Sequence, residues 1–89
     1  MRIKDGFEVV NYQGQHTVVA NGDNGGKLQN TIVLTDTALF LWNLLKEKSV
    51  TKSEMLNKLL DNFEISTVLA LGDIDVFLRT MRENGILEE

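Results

Sequence analysis

The chain reads as an α+β domain in which a three-stranded antiparallel sheet is followed by a three-helix cluster, in the order β-β-β-α-α-α. Three observations predict this. Short runs rich in β-branched and aromatic residues, separated by glycine-containing turns, fill the first 34 positions. The stretch Leu34–Lys46 (LTDTALFLWNLLK) is apolar almost all the way round at helical spacing. Two further amphipathic stripes each begin at a capping residue, Thr51 and Ser66.

The bulk numbers bound the function classes. With 89 residues there is room for one domain, 1–89, and not for two. A hydrophobic fraction of 43% with 25% charged residues belongs to a globular fold rather than a disordered chain. No apolar run approaches the roughly 20 residues that span a bilayer, so no membrane partner is expected. The opening MRIKDGFEVV lacks an apolar h-region and a small-residue cleavage site, so no signal peptide is expected. Cysteine is absent, which removes disulfides and thiolate metal sites and fits a cytoplasmic location. A net charge of −4 argues against general affinity for nucleic acid, because neutralising phosphates requires a basic surface.

The first strand is placed at residues 3–12 (IKDGFEVVNY), with Gly6 near its start. Gln13-Gly14 supplies a turn, and His16–Ala20 forms the second strand of a hairpin. Val9 with Val10, and Val18 with Val19, break strict alternation, so both faces of the hairpin are partly covered or its edges are used. Asn21–Lys27 (NGDNGGK) is a loop in which Gly and Asn supply positive φ at low cost. Leu28–Leu34 is the third strand, with Leu28, Ile32 and Leu34 on one side and Thr31 and Val33 on the other.

That strand runs directly into the central helix. Thr35 or Asp36 serves as its N-cap, a contribution of about 1 kcal/mol. At about 100° per residue, Ala38, Leu41, Trp42 and Leu45 form one apolar face, with Phe40 and Leu44 on a second. An arc this wide must be covered from more than one direction, which makes this the core helix. After a short polar connection, Thr51-Lys52-Ser53-Glu54 is a capping box that opens a helix carrying Met55, Leu56, Leu59, Leu60 and Phe63 on one stripe. Ser66 caps a third helix that ends at Asn84-Gly85, after which Ile86-Leu87 folds back on the core. Its core stripe is Leu71, Ile74, Leu78 and Met81, with Phe77 at the edge. Leu69 and Val76 point away from that stripe, and Asp73 and Thr80 lie between them and Phe77.

Catalytic chemistry finds no constellation. Gly22–Lys27 resembles a phosphate loop only superficially: it is one residue short, has Leu28 where a metal-binding hydroxyl belongs, and precedes a strand rather than a helix. Asp73 and Asp75 lie two apart on a helix, so their carboxylates diverge by about 200°. His16 is the sole histidine and has no spaced partner for zinc or for a triad. No enzyme activity, metal or cofactor is therefore expected. Arg79 and Arg82 invite a winged-helix DNA reading through helices two and three, but Asp73, Asp75 and Glu83 share that helix. What remains is recognition: a strand edge beside a helix with spare apolar surface suits addition of a peptide strand.

The element order and Leu34–Trp42 (LTDTALFLW) resemble the pyrroloquinoline quinone biosynthesis protein D (PqqD) family, where a strand ends in a Leu-Asn-x-Thr-Gly-Ala-like start to an Ile/Leu-Trp helix. The Thr-x-x-Glu opening of helix two and the close Phe77-Leu78…Met81…Gly85-Ile86-Leu87 fit the same pattern. Thr35 stands where the family usually has Asn and Ala38 where it usually has Gly, and the second strand lacks the common proline. The resemblance implies a winged-helix-like RiPP recognition element, a non-catalytic chaperone for ribosomally made precursor peptides. Such a domain holds the leader of the precursor as an added strand and presents it to a modifying enzyme, such as a radical SAM enzyme, or to a lasso-peptide protease. Carried onto this chain, it implies peptide contacts at Asn30, Thr31, Ile32 and Val33 on the third strand. On the third helix it implies Asp73, Val76, Phe77 and Thr80. The alternatives are a winged-helix DNA-binding domain and a generic interaction module, and the chain is read as a monomer or homodimer.

Overall fold

The computed structural model describes residues 1–21 and 31–89. The glycine-rich loop after Asn21, the first half of the expected third strand and the expected contact Asn30 lie outside the described residues. In chain order the elements are β1 (Arg2–Ile3), β2 (Phe7–Tyr12), β3 (Gln15–Ala20), β4 (Ile32–Leu34), α1 (Asp36–Glu47), α2 (Lys52–Asn62), α3 (Thr67–Glu83) and β5 (Leu87–Glu88). The predicted three-stranded antiparallel sheet is present with order β2-β3-β4, followed by three helices.

The strand expected over residues 3–12 is two strands. Gly6, at φ 98°, turns the chain between β1 and β2. The break has a pairing reason. β2 pairs with β3 (Phe7 opposite Ala20, Tyr12 opposite Gln15), whereas β1 pairs with β5 in a separate two-stranded sheet (Ile3 opposite Leu87). One straight strand could not serve both. The backbone N–H of Lys4 donates to the Ile86 carbonyl at 2.8 Å, and that of Asn21 donates to the Gly6 carbonyl at 2.7 Å. The return of Ile86-Leu87 onto the core is thus a strand pairing as well as an apolar contact.

The β2–β3 turn is Gln13-Gly14, with φ of 53° and 80°, the two successive positive angles of a two-residue hairpin loop. Gly14 N–H also donates to Asn11 Oδ1 at 3.2 Å.

Of the two candidate caps for α1, Thr35 is the one used: its Oγ1 accepts from Ala38 N–H at 3.3 Å. Leu41, Trp42 and Leu45 are buried, and Ala38, Leu39, Phe40 and Leu44 pack partly buried against them. The helix touches β1, β4, α2 and α3, as its wide apolar arc requires. Phe40 meets Phe63, at the end of α2, edge to face at 5.4 Å. Lys46 Nζ donates to the Phe7 carbonyl at 3.0 Å, tying the end of α1 to the start of β2.

The capping box of α2 is complete: Glu54 N–H donates to Thr51 Oγ1 at 3.1 Å, and Thr51 N–H donates to Glu54 Oε1 at 3.2 Å. Helix α3 starts at Ser66, whose Oγ accepts from Leu69 N–H at 3.2 Å. It ends in a Schellman motif, with Ile86 N–H on the Met81 carbonyl and Gly85 N–H on the Arg82 carbonyl, Gly85 taking φ 69°. Its buried face is Ala70, Ile74, Phe77, Leu78 and Met81. Phe77 is therefore part of the core rather than at its edge, and Leu71 is only half-buried. Helix α3 packs against α1, α2 and β5, and helical spacing alone does not reveal which of its sides those neighbours cover.

Candidate functional site

Strand β4 is short, and its two faces are unequal. Ile32 and Leu34 point inward and are about as buried as any residue in the sheet, while Val33 between them keeps 46% of its surface exposed. Alternation of this kind follows from the period-two geometry of a strand with one covered face. In the sheet, β4 pairs only with β3, through His16 opposite Leu34, Thr17 opposite Val33 and Val18 opposite Ile32. Among the described residues no strand lies on its other side. A sheet edge of this sort presents unpaired backbone N–H and C=O groups.

Helix α3 runs beside that edge. Phe77 is 3% exposed and Val76, its neighbour in sequence, 53%. The space between β4 and α3 is an open pocket of about 190 Å³. Ile32, Val33 and Leu34 line one wall, and Asp73, Val76, Phe77, Thr80 and Met81 line the other. The start of α1 closes the end through Thr35, Thr37 and Ala38. A cavity of about 150 Å³ holds a benzene ring, so this one takes a single bulky side chain and is smaller than the roughly 300–1,000 Å³ typical of small-molecule and cofactor sites.

The pocket brings together six of the eight residues expected at the site: Ile32, Val33, Asp73, Val76, Phe77 and Thr80. Thr31 is exposed immediately before β4 but does not line the pocket. Five lining residues were not expected at the site: the buried Leu34 and Met81, and Thr35, Thr37 and Ala38. The last three follow the third strand directly in the chain, which puts them where it turns into α1 at the mouth of the groove that β4 borders. The exposed apolar residues Val68 and Leu69, a few turns earlier on α3, lie outside the pocket.

Asp73 is the single ionisable side chain in the lining. Asp75 faces elsewhere, its Oδ1 2.6 Å from Lys52 Nζ across to α2, as the divergence of residues two apart on a helix requires. Of the two arginines that motivated a duplex-binding reading, Arg82 is held by Glu89 at 2.6 Å. His16 is half-buried in β3 opposite Asn11 and Leu34. Among the described residues no cluster of His, Asp and Glu could hold a metal ion, and no helix is long and apolar enough to cross a membrane.

Comparison with known proteins adds two findings. The family model described as coenzyme PQQ synthesis protein D (PqqD) matches residues 15–87, well over half of the chain. Among solved structures, the fold matches TbiB1 in complex with the TbiA(beta) leader peptide, with a TM-score of 0.70 at 18% identity over 99% of this chain and 95% of that one. Curated protein sequences gave no significant match.

Proposed function

The chain belongs to the PqqD family, and from that premise we propose that it is a non-catalytic, cytoplasmic chaperone for a ribosomally made precursor peptide. The leader of the precursor adds as a strand to the free edge of β4, and one of its side chains enters the pocket against α3. The domain then presents the peptide to a modifying enzyme, of radical SAM type or similar, or to a lasso-peptide protease. The observation that carries this reading is the position of the pocket directly beside the side of β4 that, among the described residues, pairs with no strand. An added strand receives backbone hydrogen bonds along the edge, which give affinity, while the pocket for alternate side chains gives selectivity. A pocket sized for one side chain suits that division of labour better than it suits a cofactor. The likeness in fold to a protein solved with a leader peptide points the same way.

The contacts proposed are the backbone of Thr31–Val33 and the side chains of Ile32, Val33, Asp73, Val76, Phe77 and Thr80, with Asn30, outside the described residues, as a further contact. Calorimetric titration with the leader of a precursor encoded beside this gene tests the reading. Saturable binding that is lost in Val76→Asp and kept in Lys58→Ala, on exposed α2 surface, is the expected result. Failure to bind that leader, or tighter binding to duplex DNA with a steep salt dependence, would reject it.

A further inference from the structure

The pocket between β4 and α3 carries one charge, and that charge is negative. Its lining is otherwise apolar or hydroxyl-bearing, and Asp73 stands at the end nearer the start of α3. Among the described residues Asp73 is in no salt bridge, whereas the carboxylate two residues on, Asp75, is held by Lys52. A strand laid over the groove would strip water from the Asp73 carboxylate, and an ion that loses water needs a partner of opposite sign. The chain as a whole, at net charge −4, adds attraction for a cationic ligand.

We infer that Asp73 is a specificity-determining residue that selects a lysine or arginine in the bound peptide, two positions from the apolar side chain that fills the pocket. The inference rests on the peptide-capture reading above and adds the ligand's charge pattern to it. Spacing fixes the two positions. Asp73 is three residues before Val76 and four before Phe77, so all three share a side of α3, separated along its axis by about 4.5–6 Å at 1.5 Å per residue. Successive same-face side chains of an extended strand are about 6.6 Å apart. A peptide that seats an apolar residue against Val76 and Phe77 therefore brings its same-face neighbour level with Asp73. The long, flexible stem of Lys or Arg lies along the apolar wall while its head reaches the carboxylate. An acidic residue there meets like charge and is disfavoured.

Panning a phage-displayed library of random linear peptides against the intact protein tests this without knowledge of the natural precursor. Enriched peptides that lose binding to Val76→Asp are the groove-dependent set. In that set an apolar residue should recur with Lys or Arg two positions away, and replacing that basic residue by Ala should weaken binding on the order of fivefold, the weight of a partly exposed ion pair. The same replacement should have no effect on Asp73→Asn, and Asp73→Lys should favour a Glu at that position. Groove-dependent peptides with no basic preference, or a preference that persists in Asp73→Asn, would overturn the assignment while leaving peptide capture standing. A library that yields no groove-dependent peptide would overturn both.

Discussion

Val33 on β4 and Val76 on α3 line the same pocket from opposite walls, each exposed, while the residue beside each in sequence, Ile32 and Phe77, is buried. The two valines are spare to the core and lie together beside a strand edge that pairs with no other strand among the described residues. That relationship separates the part of the domain that holds the fold from the part available to a ligand.

Substituting either valine by aspartate should leave the fold intact and damage binding. Exposed positions away from caps and buried polar networks usually change stability by about 0.5 kcal/mol or less. Leader affinity should fall by about tenfold or more, or about 1.4 kcal/mol. Urea unfolding and calorimetric titration of the same two variants check both halves.

Trp42→Ala should do the opposite. Trp42 is buried where α1 meets the other elements, and removing a buried large aromatic costs about 3–5 kcal/mol. A domain of this size has a total stability of only about 5–15 kcal/mol. Loss of the cooperative urea transition, or a large fall in its midpoint, is the expected outcome. Equal destabilisation by Trp42→Ala and Val76→Asp would show that fold and site are not divided in this way.

Phe77→Ala should show both effects at once. Its ring is buried in the core and also forms part of the pocket wall. Stability should fall by about 3–5 kcal/mol, and leader binding should weaken even at temperatures where the variant remains folded. Binding measured beside a thermal melt separates the two losses.

Gly85→Ala isolates a backbone cost. Gly85 closes α3 at φ 69°, and a Cβ added there meets nothing within 4 Å. The penalty is therefore conformational rather than steric, about 1 kcal/mol, which corresponds to a fall of about 4–8 °C in Tm. Leader affinity should be unchanged.

Local signals carried most of the fold. The capping residues Thr35, Thr51 and Ser66, the Gln13-Gly14 turn and the Gly85 stop each act within a few residues, and each is where sequence chemistry places it. Misplaced features depend on partners distant in the chain. Residues 3–12 split at Gly6 because Ile3 pairs with Leu87, and no local pattern encodes that pairing. The burial of Phe77 and the half-exposure of Leu71 depend on how α3 is turned against α1, α2 and β5. The pocket walls were legible through the off-core position of Val76 and the alternation of Ile32 and Val33. Its end wall at Thr35, Thr37 and Ala38 was not, because it arises only when α1 turns across the end of β4.

Strand addition at β4 is tested most directly by an NMR titration of the isotope-labelled protein with the precursor leader. Amide signals of Thr31–Leu34 and of Asp73–Thr80 should shift together and saturate together, with slowed amide exchange along β4 as its free edge gains hydrogen bonds. Shifts confined to the face shared by α2 and α3, with β4 unchanged, would contradict it.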